Sequence, residues 1–324
     1  MNHSTFKSFT FGIGLFFTLP LVYGNSSSPS SSDGTLYINK SKTHKVAPVK
    51  YGFHYEEIGM MGEGALHAEL IRNRSFEEAT PPAGLSVKNG LYENVPAPRV
   101  KEKKVFQADP LIGWTTYPLS YTPVFISRTD ENPMSGENKY SMLVNVTEDI
   151  ANHSDALILN RGYYGMNLKT DTSYRLSLFL KNRNYSAPLR VFLVDEWGQR
   201  VSNVIEVNVG NRDWTKYTGE LKPEKNVRRG MFAIQPMSKG QFQIDVVSLF
   251  PSDTWNDGKS VFRKDIVQNL KEFSPSFIRF PGGCIVHGVN EETMYHWKKT
   301  LGPIENRPGQ WSKWAPYYRT DGIG

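Results

Sequence analysis

Along SYRLSLFLKN the apolar residues Tyr174, Leu176, Leu178 and Leu180 alternate with Arg175, Ser177 and Lys181, the period of a strand with one buried face. QFQIDVVSLFP repeats that period at Phe242, Ile244 and Val246. LRVFLVDEWG predicts another strand, closing at a Trp197–Gly198 turn. SMLVNV, IEVNVG, WTKYTGEL and GMFAIQPM are shorter runs separated by turn residues. Many short strands without helices, between about Gly84 and Pro251, predict an antiparallel sandwich of the jelly-roll kind.

The flanking stretches have a different texture. In APVKYGFHYEEIG, Tyr51, Phe53 and Tyr55 alternate with Gly52, His54 and Glu56, which predicts a strand. GALHAELIRNRSFEE follows, and the spacing of Leu66, Leu70 and Ile71 predicts a helical turn or two. After DTWNDG, Phe262, Ile266, Leu270 and Phe273 fall at helical spacing, with Ser260 as the expected N-cap and Pro275 as the stop. SFIRF is then a short strand with little alternation, as in a buried parallel sheet. The pattern is α/β, then an all-β insertion, then α/β again.

Composition adds little to this and the N-terminus adds more. With 39% hydrophobic and 22% charged residues over 324 positions, the chain has an ordinary globular composition. Lys7 precedes FTFGIGLFFTLPLVYG, an apolar stretch broken by Pro20, too short for a membrane span, with Val22 and Gly24 at the positions a signal peptidase reads. Residues 1–24 are thus expected to be a signal peptide, giving a secreted or periplasmic protein with no membrane attachment after cleavage. NSSSPSSSDG, residues 25–34, reads as a flexible linker. Cys284 is the one cysteine, so no internal disulfide is expected. The net charge is +6, but KEKK and KNVRR are short, lie between strand-like runs and accompany no nucleic-acid motif. No nucleic-acid partner is expected.

Three constellations could carry chemistry. Glu56 and Glu57 end the first expected strand, where an α/β barrel places its functional carboxylates; as solvated loop acids they would do nothing. Pro281-Gly282-Gly283-Cys284 ends another strand, and its glycines permit close approach of the backbone to a ligand. Cys284 has no histidine at a recognised partner spacing, so it is read as a small apolar residue and not a nucleophile. Tyr295, Trp297, Trp311 and Trp314 surround GPIENRPG, either as packed rings or as a surface for sugar rings. The seven histidines show no HxH or HExxH spacing, so no metal site is expected. Neither GxGxxG nor a Walker loop occurs, and no cofactor is expected.

YGFHYEEIG with GALHAELIRNRSFEE, then SFIRFPGGCIVHG, then YHWKKTLGPIENRPGQW and TDGIG, occur in the order of signature blocks in α-L-arabinofuranosidases of glycoside hydrolase family 51, which the chain resembles. GYYGMNLKTDTSYRLSLFLK and IDVVSLFPSDTW resemble the opening and closing segments of the carbohydrate-binding-module-like jelly roll inserted in one subgroup. The resemblance implies a (β/α)8 barrel, incomplete in this chain and interrupted by that jelly roll. Residues 35–83 would start the barrel, 84–253 would be the jelly roll, and 254–324 would resume the barrel.

The resemblance also implies a reaction. Family members remove terminal, non-reducing α-L-arabinofuranosyl groups from arabinan or arabinoxylan with retention, through two glutamates and a covalent intermediate. By position Glu56 matches the sugar-binding carboxylate of the first strand, and Cys284 and Trp297 match residues lining the arabinofuranose pocket. His287 departs from the acid usual there. The acid/base and nucleophile glutamates would follow Gly324, since Val289-Asn290-Glu291 does not match the family's Asn-Glu block. The partners implied are arabinose-containing plant polysaccharides. Two other readings stand beside it: a truncated remnant, and a non-catalytic carbohydrate-binding protein using Trp114, Tyr117, Tyr163, Tyr164 and Trp197.

Overall fold

The computed structural model describes residues 38–39, 41, 43, 45, 51–58, 60–81, 86–93, 108–119, 122–149, 156–288, 290–291, 293–312 and 318–319. The expected signal peptide, the serine-rich linker, KEKK, Trp314 and TDGIG lie outside the described residues. The chain divides into two compact units, 1–47 and 48–324. Among the described residues, all regular elements belong to the second.

Strand β1 (Phe53–His54) comes first, and β2 (Ser86–Lys88) with β3 (Leu91–Glu93) forms a hairpin. The next elements are β4 (Trp114–Tyr117), β5 (Val124–Thr129), β6 (Ser141–Val146), β7 (Leu157–Asn160), β8 (Met166–Leu168) and β9 (Tyr174–Asn182). They are followed by β10 (Pro188–Val194), β11 (Ile205–Asn208), β12 (Thr215–Leu221), β13 (Val227–Gln235) and β14 (Gly240–Pro251). These strands, β4 to β14, make two antiparallel sheets. One is six-stranded, β11-β10-β13-β7-β4 with β8 beside β13; the other is five-stranded, β12-β9-β14-β6-β5.

One apolar core lies between the sheets. Tyr174, Leu176, Leu178 and Leu180 of β9 enter it, as their alternation predicts, together with Ile158, Val191, Leu193, Phe232 and Ile234 from the opposite sheet. Strand β14 departs from simple alternation, because every residue from Phe242 to Leu249 is buried. Its register on β9 shifts between Asp245 and Ser248, and Val246 adopts φ +42° there. That is a bulge, which bends the strand and re-aims its side chains.

The bulge receives the segment that sequence spacing predicts to be helical. Gly62–Leu66 forms a short turn with two residues outside helical geometry, and residues 68–80 are irregular. The polar side chains of this segment explain the difference, because they bind the sandwich instead of facing water. Leu70 N donates to Leu249 O at 3.1 Å, and Val247 N donates to Arg74 O at 2.9 Å. Glu69 Oε1 accepts Leu249 N at 2.8 Å, and Glu77 Oε1 accepts Lys139 N and Tyr140 N at 2.6 and 2.9 Å. A buried loop is stable only when its polar groups are paired in this way.

Helix α1 (Lys264–Glu272) follows the sandwich and leads to β15 (Ile278–Arg279), which pairs in parallel with β1. Arg263 occupies the N-cap without a side-chain bond. Ser260, the expected cap, instead accepts Phe262 N at 3.1 Å and shapes the approach to the helix. Helix α2 (Cys284–His287), two short turns at Trp297–Thr300 and Ile304–Asn306, and the pair β16 (Trp311–Ser312) and β17 (Tyr318–Arg319) complete the described elements. The structure is mostly β-sheet with little helix.

Candidate functional site

Strands β1 and β15 deliver their ends side by side. Phe53 N donates to Phe277 O and Tyr55 N to Arg279 O, each at 3.0 Å, which fixes the parallel register Phe53 to Ile278 and His54 to Arg279. Glu56 leaves β1 at this edge and its side chain is only 10% exposed. Its Oε1 accepts Ile285 N, in the first turn of α2, at 2.9 Å. Its Oε2 lies 3.9 Å from His54 Nε2. His54 and Glu56 are two positions apart on an extended chain, so their side chains share a face.

The glycines of the opening turn make room for that carboxylate. A Cβ on Gly282 would fall 2.4 Å from Glu56 Cγ, and Gly282 holds φ +141°, where side chains are disfavoured. A Cβ on Gly283 would lie 3.2 Å from Glu56 Oε2. The close approach expected between this backbone and a ligand is thus an approach to Glu56 itself. Cys284 is the next residue, half-buried, and its thiol is free.

Trp297 stands on the turn Trp297–Thr300, 59% exposed, with Lys298 Nζ 5.8 Å from its ring centre. It is linked to α2 through Tyr295, whose amide donates to Val286 O at 3.1 Å and whose ring meets Phe280 edge-on at 5.8 Å. Trp311 is buried, a packing residue of β16. Glu57 is buried as well. It accepts Gly62 N at 2.5 Å, and Tyr55 OH donates to it at 3.5 Å. Burial first, then the nearby Glu57 and Glu63 carboxylates, push the Tyr55 hydroxyl well above its ordinary range, so it stays a neutral donor. Of the two adjacent glutamates, Glu57 is buried against the Gly62 amide, and Glu56 stands at the strand edge beside the Ile285 amide.

Chemically, the arrangement combines a fixed carboxylate with a nearby exposed aromatic ring. A carboxylate fixed by a backbone amide can accept hydrogen bonds from the hydroxyls of a polyol, and an exposed indole offers a flat apolar face. Glycoside hydrolysis with retention needs two carboxyl groups about 5–5.5 Å apart; Glu57, the neighbouring acid, is 3% exposed and holds the Gly62 amide. Sequence reasoning did not assign a role to His54 or to the Ile285 amide. The first was visible in the His54–Glu56 alternation; the second appears only when β15 is laid beside β1.

The aromatic residues suggested for glycan binding divide sharply. Trp114 is core: its Nε1 donates to Asn73 O at 3.1 Å and its ring meets Phe76 and Phe232. Tyr163 packs on Gly64, with Arg72 5.9 Å from its ring centre. Tyr117 is half-buried, whereas Tyr164 and Trp197 are 81% and 73% exposed.

Comparison with known proteins bears on the same region. Residues 269–324 match the family model of the alpha-L-arabinofuranosidase 1 domain. Over 279 residues the chain is 28% identical to alpha-L-arabinofuranosidase 1 of Arabidopsis thaliana, covering 85% of this chain and 37% of that one. It is 26% identical over 287 residues to an extracellular exo-alpha-L-arabinofuranosidase of Streptomyces chartreusis, covering 85% and 30%. An arabinose-bound α-L-arabinofuranosidase of glycoside hydrolase family 51 superposes with a TM-score of 0.70 at 25% identity, over 88% of this chain and 42% of that one. All three proteins are named as arabinofuranosidases, the solved structure as one of family 51, and the chain spans less than half the length of each.

Proposed function

We propose that this chain is part of a retaining α-L-arabinofuranosidase and supplies the side of the active site that grips the terminal arabinofuranosyl group. The observation that carries the proposal is the Glu56 carboxylate. It is anchored by the Ile285 amide and enclosed by Gly282 and Gly283 at the paired ends of β1 and β15. In this reading Glu56 accepts hydrogen bonds from sugar hydroxyls, Cys284 forms a wall of the pocket, and Trp297 offers its ring to the sugar face. The substrates are arabinose-bearing chains of arabinan or arabinoxylan.

The domain plan extends the same reading. Residues 35–83 and 254–324 belong to a (β/α)8 barrel, for which the parallel pairing of β1 and β15 is support. Residues 84–253 form a carbohydrate-binding-module-like jelly roll, supported by the two antiparallel sheets around one core. Residues 1–24 act as a signal peptide and 25–34 as a linker. A secreted or periplasmic location agrees with the extracellular Streptomyces relative.

Hydrolysis then requires an acid/base and a nucleophile that Glu56 does not supply. Two measurements on the purified chain test this: binding of L-arabinose by isothermal titration, and release of nitrophenol from a nitrophenyl α-L-arabinofuranoside. The chain is expected to bind arabinose, to lose that binding in Glu56→Gln, and to release no nitrophenol. Arabinose binding untouched by Glu56→Gln would remove the site assignment. Turnover by this chain that Glu56→Gln abolishes would make Glu56 a reacting group and overturn the division of roles.

A further inference from the structure

We infer that His54 is a specificity-determining residue of the arabinose site, sharing a single sugar hydroxyl with Glu56. The inference deepens the arabinofuranosidase reading and rests on it. His54 is not among the residues that the family resemblance assigns to the pocket.

The two side chains are held at a spacing with chemical meaning. His54 is the last residue of β1 and pairs in register with Arg279 of β15, which fixes its backbone. Its side chain is 43% exposed, against 10% for Glu56, so the imidazole is the more open of the two to an arriving ligand. Nε2 lies 3.9 Å from Glu56 Oε2, beyond the roughly 2.7–3.2 Å of an N–H···O hydrogen bond. The carboxylate is not free to swing across that gap, because its Oε1 holds Ile285 N at 2.9 Å.

The gap suits a hydroxyl. An oxygen about 2.8 Å from both Nε2 and Oε2 would see them at an angle of about 90°, within hydrogen-bonding geometry. Such a hydroxyl donates to Glu56 Oε2 and accepts from the Nε2–H of His54. A hydroxyl can do both at once, whereas an ether oxygen only accepts and an ammonium only donates. His54 can play its part either as the neutral ring with its hydrogen on Nε2 or as the imidazolium. An ionised carboxylate has about four acceptor positions, so holding the Ile285 amide does not exhaust Glu56.

The two glycines of the turn differ in what they make room for. The three atoms nearest to a Cβ on Gly282 all belong to Glu56. A Cβ on Gly283 would lie 3.2 Å from Glu56 Oε2, 3.5 Å from His54 Cε1 and 3.8 Å from Glu56 Oε1. Both side chains therefore border the space that a larger residue at 283 would take. Gly282 accommodates the carboxylate itself, and Gly283 accommodates what the carboxylate and the imidazole hold together. A site built to hydrogen-bond a hydroxyl rejects the analogue that lacks it, because its own polar groups are then left unpaired.

The test is isothermal titration with methyl α-L-arabinofuranoside and its 2-, 3- and 5-deoxy derivatives. Each sugar is titrated into the purified chain and into His54→Phe and His54→Gln. Phenylalanine keeps an aromatic ring and removes Nε2, while glutamine keeps an N–H donor near the same place. The wild-type chain is expected to bind one deoxy sugar about tenfold more weakly than the parent, or worse, the scale of a lost polar contact. His54→Phe should weaken the parent about fivefold or more and leave that one deoxy sugar unchanged, while His54→Gln should bind the parent within about threefold of wild type. Thermal melts check that the variants stay folded. Equal losses on the parent and all three deoxy sugars would give His54 a structural role only and overturn the inference. Parent binding unaltered in His54→Phe would overturn it too; if Glu56→Gln still abolishes binding, the arabinose site stands without His54. Parent binding that survives Glu56→Gln, or that the wild-type chain lacks, removes the site itself and the inference with it.

Discussion

Glu56 and His67 show how differently two buried polar residues can relate to their own sequence. Glu56 could be read from the chain, because alternation puts it with His54 at a strand end and the glycines that surround it form a recognisable run. His67 could not. Its ring meets that of Phe250 edge-to-face, 5.2 Å between centroids, and its Nδ1 is buried without a hydrogen-bond partner. Burial first, then the charges of Arg74 and Arg307, push its pKa down to about 3. The folded protein therefore holds a neutral imidazole, while the unfolded chain takes up a proton below its ordinary value of 6.5. Below that value the unfolded state binds more protons, so stability is complete above it and falls as pH drops toward 3. The slope attributable to His67 is at most about 1.4 kcal/mol per pH unit. Urea melts between pH 7.5 and 4 should show this loss, and His67→Phe, which keeps an aromatic ring, should flatten it. An equal pH slope in both proteins would clear His67 of the effect.

At the scale of elements, strands were legible where one face only is buried. Strand β9 announces itself by alternation, whereas β10 and β13 bury both faces along part of their length and show unbroken apolar runs. The segment 67–80 misled the pattern because its apolar spacing is helical while its polar residues are structural. The partners that decide its conformation are far away in sequence: Glu69 meets Ser248 and Leu249 across 179 and 180 positions. Glu69 is buried with Arg74 Nη1 at 3.3 Å, and also accepts Ile71 N at 3.0 Å. Burial raises the Glu69 pKa against the opposing pull of Arg74 and these donors. Removing one member of such a pair strands the other, at a cost of about 3–5 kcal/mol. Arg74→Met should lose stability on that scale in denaturant melts, and Glu69→Gln in the Arg74→Met background should recover part of it. A second loss of similar size in the double variant would show that the two residues act independently.

In the whole molecule, burial is distributed unevenly. The sandwich buries long runs of β9, β13 and β14, while α1 has no buried residue. Around α1 and the β1–β15 pair, Phe273, Phe277, Ile278 and Phe280 are each more than half exposed. Apolar exposure on that scale gives little of the roughly 25 cal/mol per Å² that burial contributes, and the parallel pair has only the two residues of each strand in register. Local opening free energy follows packing, so these regions should open separately from the sandwich. Hydrogen exchange followed by mass spectrometry reads the difference directly. Amides of Leu178, Leu180 and Ile244 should exchange near the rate of global unfolding. Those of Phe53 and Tyr55, although hydrogen-bonded to Phe277 O and Arg279 O at 3.0 Å, should exchange about a hundredfold faster or more, a gap of roughly 2.7 kcal/mol in opening free energy. Added L-arabinose, which the proposed site would hold between β1 and α2, should slow Tyr55 and Ile285 and leave the sandwich amides unchanged. Equal protection in both regions would mean that the parallel pair draws its stability from the sandwich, and that Glu56 is held as rigidly as the core.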